Sequence, residues 1–154
     1  MFGLTAWLLG PGCSAVEPPP ALPTPLELQA IQSRVFEVRK GVAFAATMTV
    51  FQDLGYVIQS ADQSTGFITA SSPTKKTGEL WDDLAEQKQT KATAFVEERR
   101  AGQTTVRLNF VVFTHQSTYD GQTLAHQDPI HAPELYQNAF ERIGEGIFLR
   151  TATE

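Results

Sequence analysis

The stretch Thr105-Val-Arg-Leu-Asn-Phe-Val-Val-Phe-Thr-His115 decides the fold. Its residues alternate. Val106, Leu108, Phe110 and Val112 fall on one side, and Arg107, Asn109, Val111 and Phe113 on the other. A period of two is the signature of a β-strand, because successive side chains of a strand point to opposite faces. The first set is wholly apolar and belongs against a core. The second mixes polar with apolar groups, as expected of a sheet with one solvated face. Val111 and Phe113 predict that the far end of this second face is covered too.

Working outward, Lys91 to Arg99 predicts a partner strand, joined through the turn at 100–103. Tyr56–Ser60 and Phe67–Ser71 predict a hairpin across Asp62-Gln-Ser-Thr-Gly66, with Gly66 supplying an unusual backbone angle. Residues 32–38 predict a short first strand. Two segments carry helical spacing instead. From Lys40 to Leu54 the residues Ala43, Phe44, Thr47, Val50, Phe51 and Leu54 share one face, and Gly55 follows as a C-terminal cap. From Pro133 to about Leu149 the residues Tyr136, Phe140, Ile143 and Ile147 form a stripe. Pro133 and Glu134 suit a first helical turn, and Gly144 and Gly146 predict an early end to its regular part. A short helix is expected at 79–88, and loops at 73–78 and 116–132. The order strand, helix, four strands, helix predicts an α+β two-layer sandwich, one antiparallel sheet with both main helices on a single face.

The chain has 154 residues and a net charge of −5. One domain is expected, over 33–150. The acidic balance argues against nucleic acid, whose phosphates require a basic face. The one cysteine excludes an internal disulfide. Cys13 follows the apolar run Phe2 to Gly10 and precedes the Pro-rich stretch Glu17 to Pro25. The run is far too short for the ~20 apolar residues of a membrane span.

These residues resemble a bacterial lipoprotein signal, whose terminal cysteine becomes an acylated N-terminus. Gly12 supplies the small residue before it. Gly10 and Pro11 stand where a Leu-plus-small pair is usual, and no Lys or Arg precedes the run. The resemblance implies a signal segment at 1–12, lipidation of Cys13 with fatty acyl chains such as palmitate, and a tether over 13–32. It places the domain in the periplasm, with Ser14 favouring the outer membrane over the inner.

Further along, Arg34-x-Phe36, Phe51-Gln-Asp-Leu-Gly-Tyr56 and Ile58-x-x-Ala61-Asp62-x-x-x-Gly66-x-Ile68-x-Ala70 resemble an uncharacterised family of bacterial envelope lipoproteins. Phe51 stands where that family usually has Leu. The likeness continues loosely through the Thr105–Val112 strand and through Pro133-Glu-x-Tyr136-x-x-x-Phe140. It implies a lipid-anchored module of no assigned activity. Element order alone resembles the TATA-binding-protein-like fold, and such likeness does not transfer function.

No reaction is legible. No Gly-x-Ser-x-Gly elbow, metal-ligand motif or phosphate loop occurs, and no cofactor is expected. Asp82-Asp83 and Glu97-Glu98 are adjacent pairs whose side chains diverge. The leading expectation is a non-catalytic binding or assembly module held at a membrane by Cys13. Trp81 is its candidate partner anchor, since Trp is enriched at interface hot spots. The exposed sheet face and edge are further docking surfaces, the edge by strand addition. Two alternatives stay open. One is a small metal-binding protein or enzyme using His115, His126 and His131 with Asp120 or Asp128. The other is a soluble binder of a small ligand between sheet and helices.

Overall fold

A computed structural model of the chain describes residues 23–77, 86–117 and 122–152. In chain order its elements are α1 (Pro25–Gln32), β1 (Ser33–Phe36), α2 (Lys40–Asp53), β2 (Val57–Asp62), β3 (Phe67–Ser71), β4 (Lys75–Thr77), β5 (Glu86–Arg100), β6 (Gln103–Ser117), β7 (Thr123–Pro129) and α3 (Pro133–Thr151). Every strand pairing is antiparallel. The strands run β1-β6-β5-β3-β2, with β4 added beside β5 and β7 beside β6. The expected α+β sandwich is the observed architecture.

The β5–β6 hairpin is the spine. Each strand has 15 residues, about 50 Å at 3.3 Å per residue. Its register opposes Ala92 to Phe110, Ala94 to Leu108 and Val96 to Val106. All six are buried, and so are Ile68 and Ala70 of β3 beside them. This is the face that the alternation at 105–115 assigns to the core. Helix α2 packs on it through Ala43, Phe44, Ala46, Thr47, Val50 and Phe51. Helix α3 adds Tyr136, Ala139, Phe140 and Ile143. Phe110 is the meeting point. Its ring lies 6.2 Å from Phe51, 6.1 Å from Tyr56 and 5.3 Å from Tyr136, centre to centre. Edge-on and tilted contacts at such distances suit the ring quadrupoles and add to the area buried. Helix α2 contacts β5, whose two alanines are small and buried. Their size lets the helix approach while Phe110 and Leu108 fill the space beside it.

The residues that carry the family-like pattern mostly build turns and grips. Gly55 has φ +83°. Its N–H donates to the Gln52 carbonyl and that of Tyr56 to the Phe51 carbonyl, both at 2.9 Å. This is a Schellman ending of α2, and the Phe51 and Tyr56 rings, 6.0 Å apart, supply its apolar contact. Asp62 accepts from the Ser64 hydroxyl at 2.6 Å and backbone N–H at 2.8 Å, closing the β2–β3 turn. Arg34 stands 5.1 Å over the Phe140 ring, and Phe36 lies 6.5 Å from it, so both hold α3 to the sheet.

Several expectations are corrected. The segment given to the tether contains α1, where Thr24 and Glu27 form a capping box and Pro25 opens the helix. Residues 25–32 are therefore helical and lie ahead of the expected domain start at 33. Lys75–Thr77 and Thr123–Pro129 are strands, not loops, each held only by a neighbour in the sheet. Glu86–Lys88 extends β5 instead of ending a helix, and the rest of that expected helix, 79–85, lies outside the described residues. Gly144 and Gly146 do not stop α3, which continues to Thr151. Ala46 packs against Gly146 there, and the Arg150 guanidinium donates to the Gly146 carbonyl at 2.8 Å and to Thr49 Oγ1 at 2.8 Å. Tertiary contact with α2 outweighs the low helix propensity of glycine.

Helix α2 is preceded by Arg39 at the N-cap position, whose side chain makes no cap bond. Glu98 of β5 does that work instead. One of its oxygens accepts from the Lys40 N–H at 3.2 Å and the other from the Gly102 N–H at 2.8 Å. A carboxylate at the positive end of a helix is favoured. First the Gly102 bond and then the Lys40 bond hold this carboxyl below the usual glutamate range. Its contribution is complete above the ordinary carboxylate pKa of about 4.3 and is lost as pH falls through the depressed value. Glu98→Gln should therefore lower the melting temperature at about pH 7, and the gap should narrow as pH falls below the ordinary carboxylate range. Thermal melts across that range check this.

Gly66 carries the second expectation. It has φ +85°, a Cβ there would strike the Val96 carbonyl oxygen, and Val96 N–H donates to the Gly66 carbonyl at 2.9 Å. Both the angle and the close approach exclude a side chain. Gly66→Ala should cost about 2–4 kcal/mol in denaturant unfolding, whereas Gly55→Ala, with nothing near its Cβ position, should cost about 1 kcal/mol.

Candidate functional site

The three helices share one side of the sheet, so the other side is bare of helices among the described residues. Register places side chains on it in rows. Phe67, Phe95, Arg107 and Ser33 form one row across β3, β5, β6 and β1. Thr69, Thr93 and Asn109 form the next, and Ser71, Lys91, Val111 and Pro129 the one after. Gln89, Phe113 and Gln127 follow.

The first row is apolar at its centre and charged at its ends, with Asp62 of β2 opposite Phe67 and bonded to Ser64, and Arg107 beyond Phe95. The Phe67 and Phe95 rings lie 4.8 Å apart at 38°. Phe67 remains 55% exposed. Arg107, directly across from Phe95, is exposed and its Nε donates to Ser33 Oγ at 3.3 Å. Two rows away the Lys91 ammonium stands 4.2 Å over the Phe113 ring. Neither Arg107 nor Lys91 has a carboxylate partner among the described residues. Val35 (53% exposed) and Val57 (59%) add apolar surface at the margins. Folding exposes these groups because the same alternation that buries Leu108 and Phe110 turns Arg107 and Asn109 outward.

The surface is hollowed, not flat. A depression of about 250 Å³ is lined by Phe67, Thr93, Phe95, Arg107 and Asn109. A second, of about 510 Å³, is lined by Gln59, Thr69, Ser71, Gln89, Lys91 and Thr93. Thr93 belongs to both, so they form one trough. On the opposite side a groove of about 420 Å³ runs between α2 and α3 past Thr49, Asp53, Glu141, Arg142, Glu145 and Arg150. Its walls carry both signs of charge, and Arg150 already bonds across it to Thr49.

The residues singled out from sequence fare differently. Cys13, Trp81 and Asp120 lie outside the described residues, as do Asp82 and Asp83. His115 and His126 are on neighbouring strands but pair one step apart, His115 with Ala125 and His126 with Thr114. The pleat therefore sends them to opposite faces. His131 sits in the connection before α3, and Asp128 stands opposite Val112. No group of three His, Cys, Asp or Glu side chains converges among the described residues. Glu97 meets Arg99 at 3.5 Å while Glu98 caps α2, so that pair diverges.

Shifted titrations mark local bonding. Asp62 is lowered by the Ser64 hydroxyl first, Glu86 by Lys88 first, and Tyr56 is raised by burial. None of these groups lines the trough. No described helix is long and apolar enough to cross a membrane. Val111 and Phe113, expected to be covered, are half-buried between β7 and the Lys91 side chain.

Sequence reading missed Phe67, Phe95 and Lys91 as surface groups. The outward set Arg107, Asn109, Val111 and Phe113 was visible, but only the register puts Phe95 opposite Arg107 and Phe67 beside Phe95. A scan of known family models and a search of curated proteins find no match to this chain. If the Phe67–Phe95 pair serves contact and not stability, Phe67→Ala should cost under about 1 kcal/mol in urea unfolding, while Phe110→Ala should cost about 3–5 kcal/mol.

Proposed function

We propose that this chain is a lipid-anchored bacterial envelope protein whose domain binds or positions another envelope component and performs no chemistry. The observation that carries the binding half is the open sheet face, where exposed Phe67 packs on half-buried Phe95 beside the cations Arg107 and Lys91, which meet no carboxylate among the described residues. Aromatic residues and Arg grouped on an open face are the residue types enriched in contact surfaces. The likeness of the Arg34–Ala70 pattern to envelope lipoproteins supports the same reading. The anchor half rests on Cys13, its apolar leader and the Pro-rich sequence that leads to Thr24. Acylation removes the liability of a free thiol in an oxidising compartment. Attachment at Cys13 leaves only a short stretch before the capped start of α1, so the domain works close to the membrane.

The intact mass of protein extracted from Gram-negative membranes, beside a Cys13→Ala variant, tests the anchor. The expected species begins at Cys13 and carries acyl mass that the variant lacks. Unmodified full-length protein in the soluble fraction would overturn it.

A further inference from the structure

The trough on the open face has a chemistry and a spacing that specify what it takes. We propose that it docks an extended acidic segment of a partner protein. An aromatic side chain of that segment sits against Phe67 and Phe95 beside Arg107, and a carboxylate four residues away sits at Lys91. This deepens the binding reading above and rests on it.

Charge comes first. The chain is acidic overall at −5, yet Arg107, Lys91 and Lys76 stand on this face. Its described carboxylates are engaged locally: Asp62, opposite Phe67, by Ser64 at 2.6 Å, Glu97 by Arg99 at 3.5 Å, and Glu37 by Gln103 at 2.7 Å. The helices carry Glu27, Asp53, Glu134, Glu141 and Glu145 on the other side. Those helices also carry Lys40, Arg142 and Arg150, whereas the charged side chains lining the trough are Arg107 and Lys91 alone among the described residues, so the complement of the trough is an anion. Pairing with a second copy about a twofold axis would bring Arg107 and Lys91 of both copies into one interface, which like charge disfavours.

Geometry then selects a peptide. Phe95 and Lys91 lie on the same face of β5, four residues apart, which is about 13 Å along the strand. An extended peptide running along the trough repeats that spacing, because its own side chains return to one face every second residue. Between the two ends the floor is Thr69, Thr93 and Asn109, small and polar groups that let a backbone come close and bond to them. The hollow at Phe67 and Phe95, about 250 Å³, suits one ring, and Arg107 on its wall can stack on that ring or take a neighbouring carboxylate. Lys91 keeps its stacked position over Phe113 while its three donors stay available. A single-stranded nucleic acid would also meet rings and cations, but it presents a phosphate at every step and needs a longer cationic track than these few residues give.

The test uses the full chain and short synthetic peptides. In the first, Phe and Glu are four positions apart in a Ser/Thr background; in the second, the same residues are three apart, which sends them to opposite faces. A third has Lys for Glu, and an oligothymidylate of equal length stands for nucleic acid. Anisotropy titrations should show the four-spaced peptide binding about tenfold more tightly than the other two peptides and the oligonucleotide, with affinity falling as salt rises. Lys91→Glu and Arg107→Glu should each weaken it about tenfold. NMR shifts on the wild-type chain, which need no variant to fold, should fall on Phe67, Thr93, Phe95 and Asn109. The proposal is overturned if the spacing makes no difference, if the oligonucleotide binds as well, if shifts fall on α2 and α3, or if nothing binds below about 1 mM. Any of these with acylated Cys13 intact removes the docking site and leaves the anchor standing.

Discussion

The pleat of the β5–β6 hairpin governs the molecule. One strand pair of 15 residues each sorts every side chain to one of two faces, and a slip of one residue would exchange them. In the observed register Leu108, Phe110, Ala92 and Ala94 go under the helices while Arg107, Asn109, Lys91 and Phe95 go to solvent. Core and open face are thus two outcomes of one pairing. The devices that hold the register are local: the β5–β6 turn bonded to Glu98, the Gly66 turn pressed on Val96, and β1 seated by Thr104, whose hydroxyl donates to the Val38 carbonyl at 2.7 Å. Glu98 also caps α2, so one carboxylate ties the turn of the spine to the helix that covers it.

This division explains why the most pattern-rich residues are not the ones on the candidate site. Gly55 and Tyr56 end α2, Asp62 and Gly66 make a turn, and Arg34 and Phe36 clasp Phe140. Each meets a demand of backbone geometry or packing that few residue types can satisfy. The trough asks less of its residues, since exposed side chains meet mostly solvent. A sequence motif of this kind reports the fold first.

What could be read from sequence follows the same logic. Helices α2 and α3 and the core face of β6 were legible because burial imposes a period on apolar residues, as at Ala43–Phe51 and Val106–Phe110. Strands β4 and β7 were not, because Lys75–Thr77 and Thr123–Pro129 are exposed throughout and carry no apolar alternation. Only pairing with β5 and β6 makes them strands. Helix α1 was hidden by the Pro-rich composition around it, although Thr24, Pro25 and Glu27 spell a helix start. The histidines looked like a cluster in sequence because Asp120 and Asp128 lie among them, and the pleat separates His115 from His126. The Phe67–Phe95 pair could not be read without register, since 28 positions of chain separate the two rings that stand 4.8 Å apart.

The claim at the centre is that the face opposite the helices is covered in the cell. Photocrosslinking from an amino acid placed in turn at Thr93, at Asn109 and at Glu141 of α3, in living cells, addresses it directly. The account expects adducts of one mass from Thr93 and Asn109 and none from Glu141. Adducts from Glu141 with silence at Thr93 and Asn109 would contradict it, and would move the working surface to the helices.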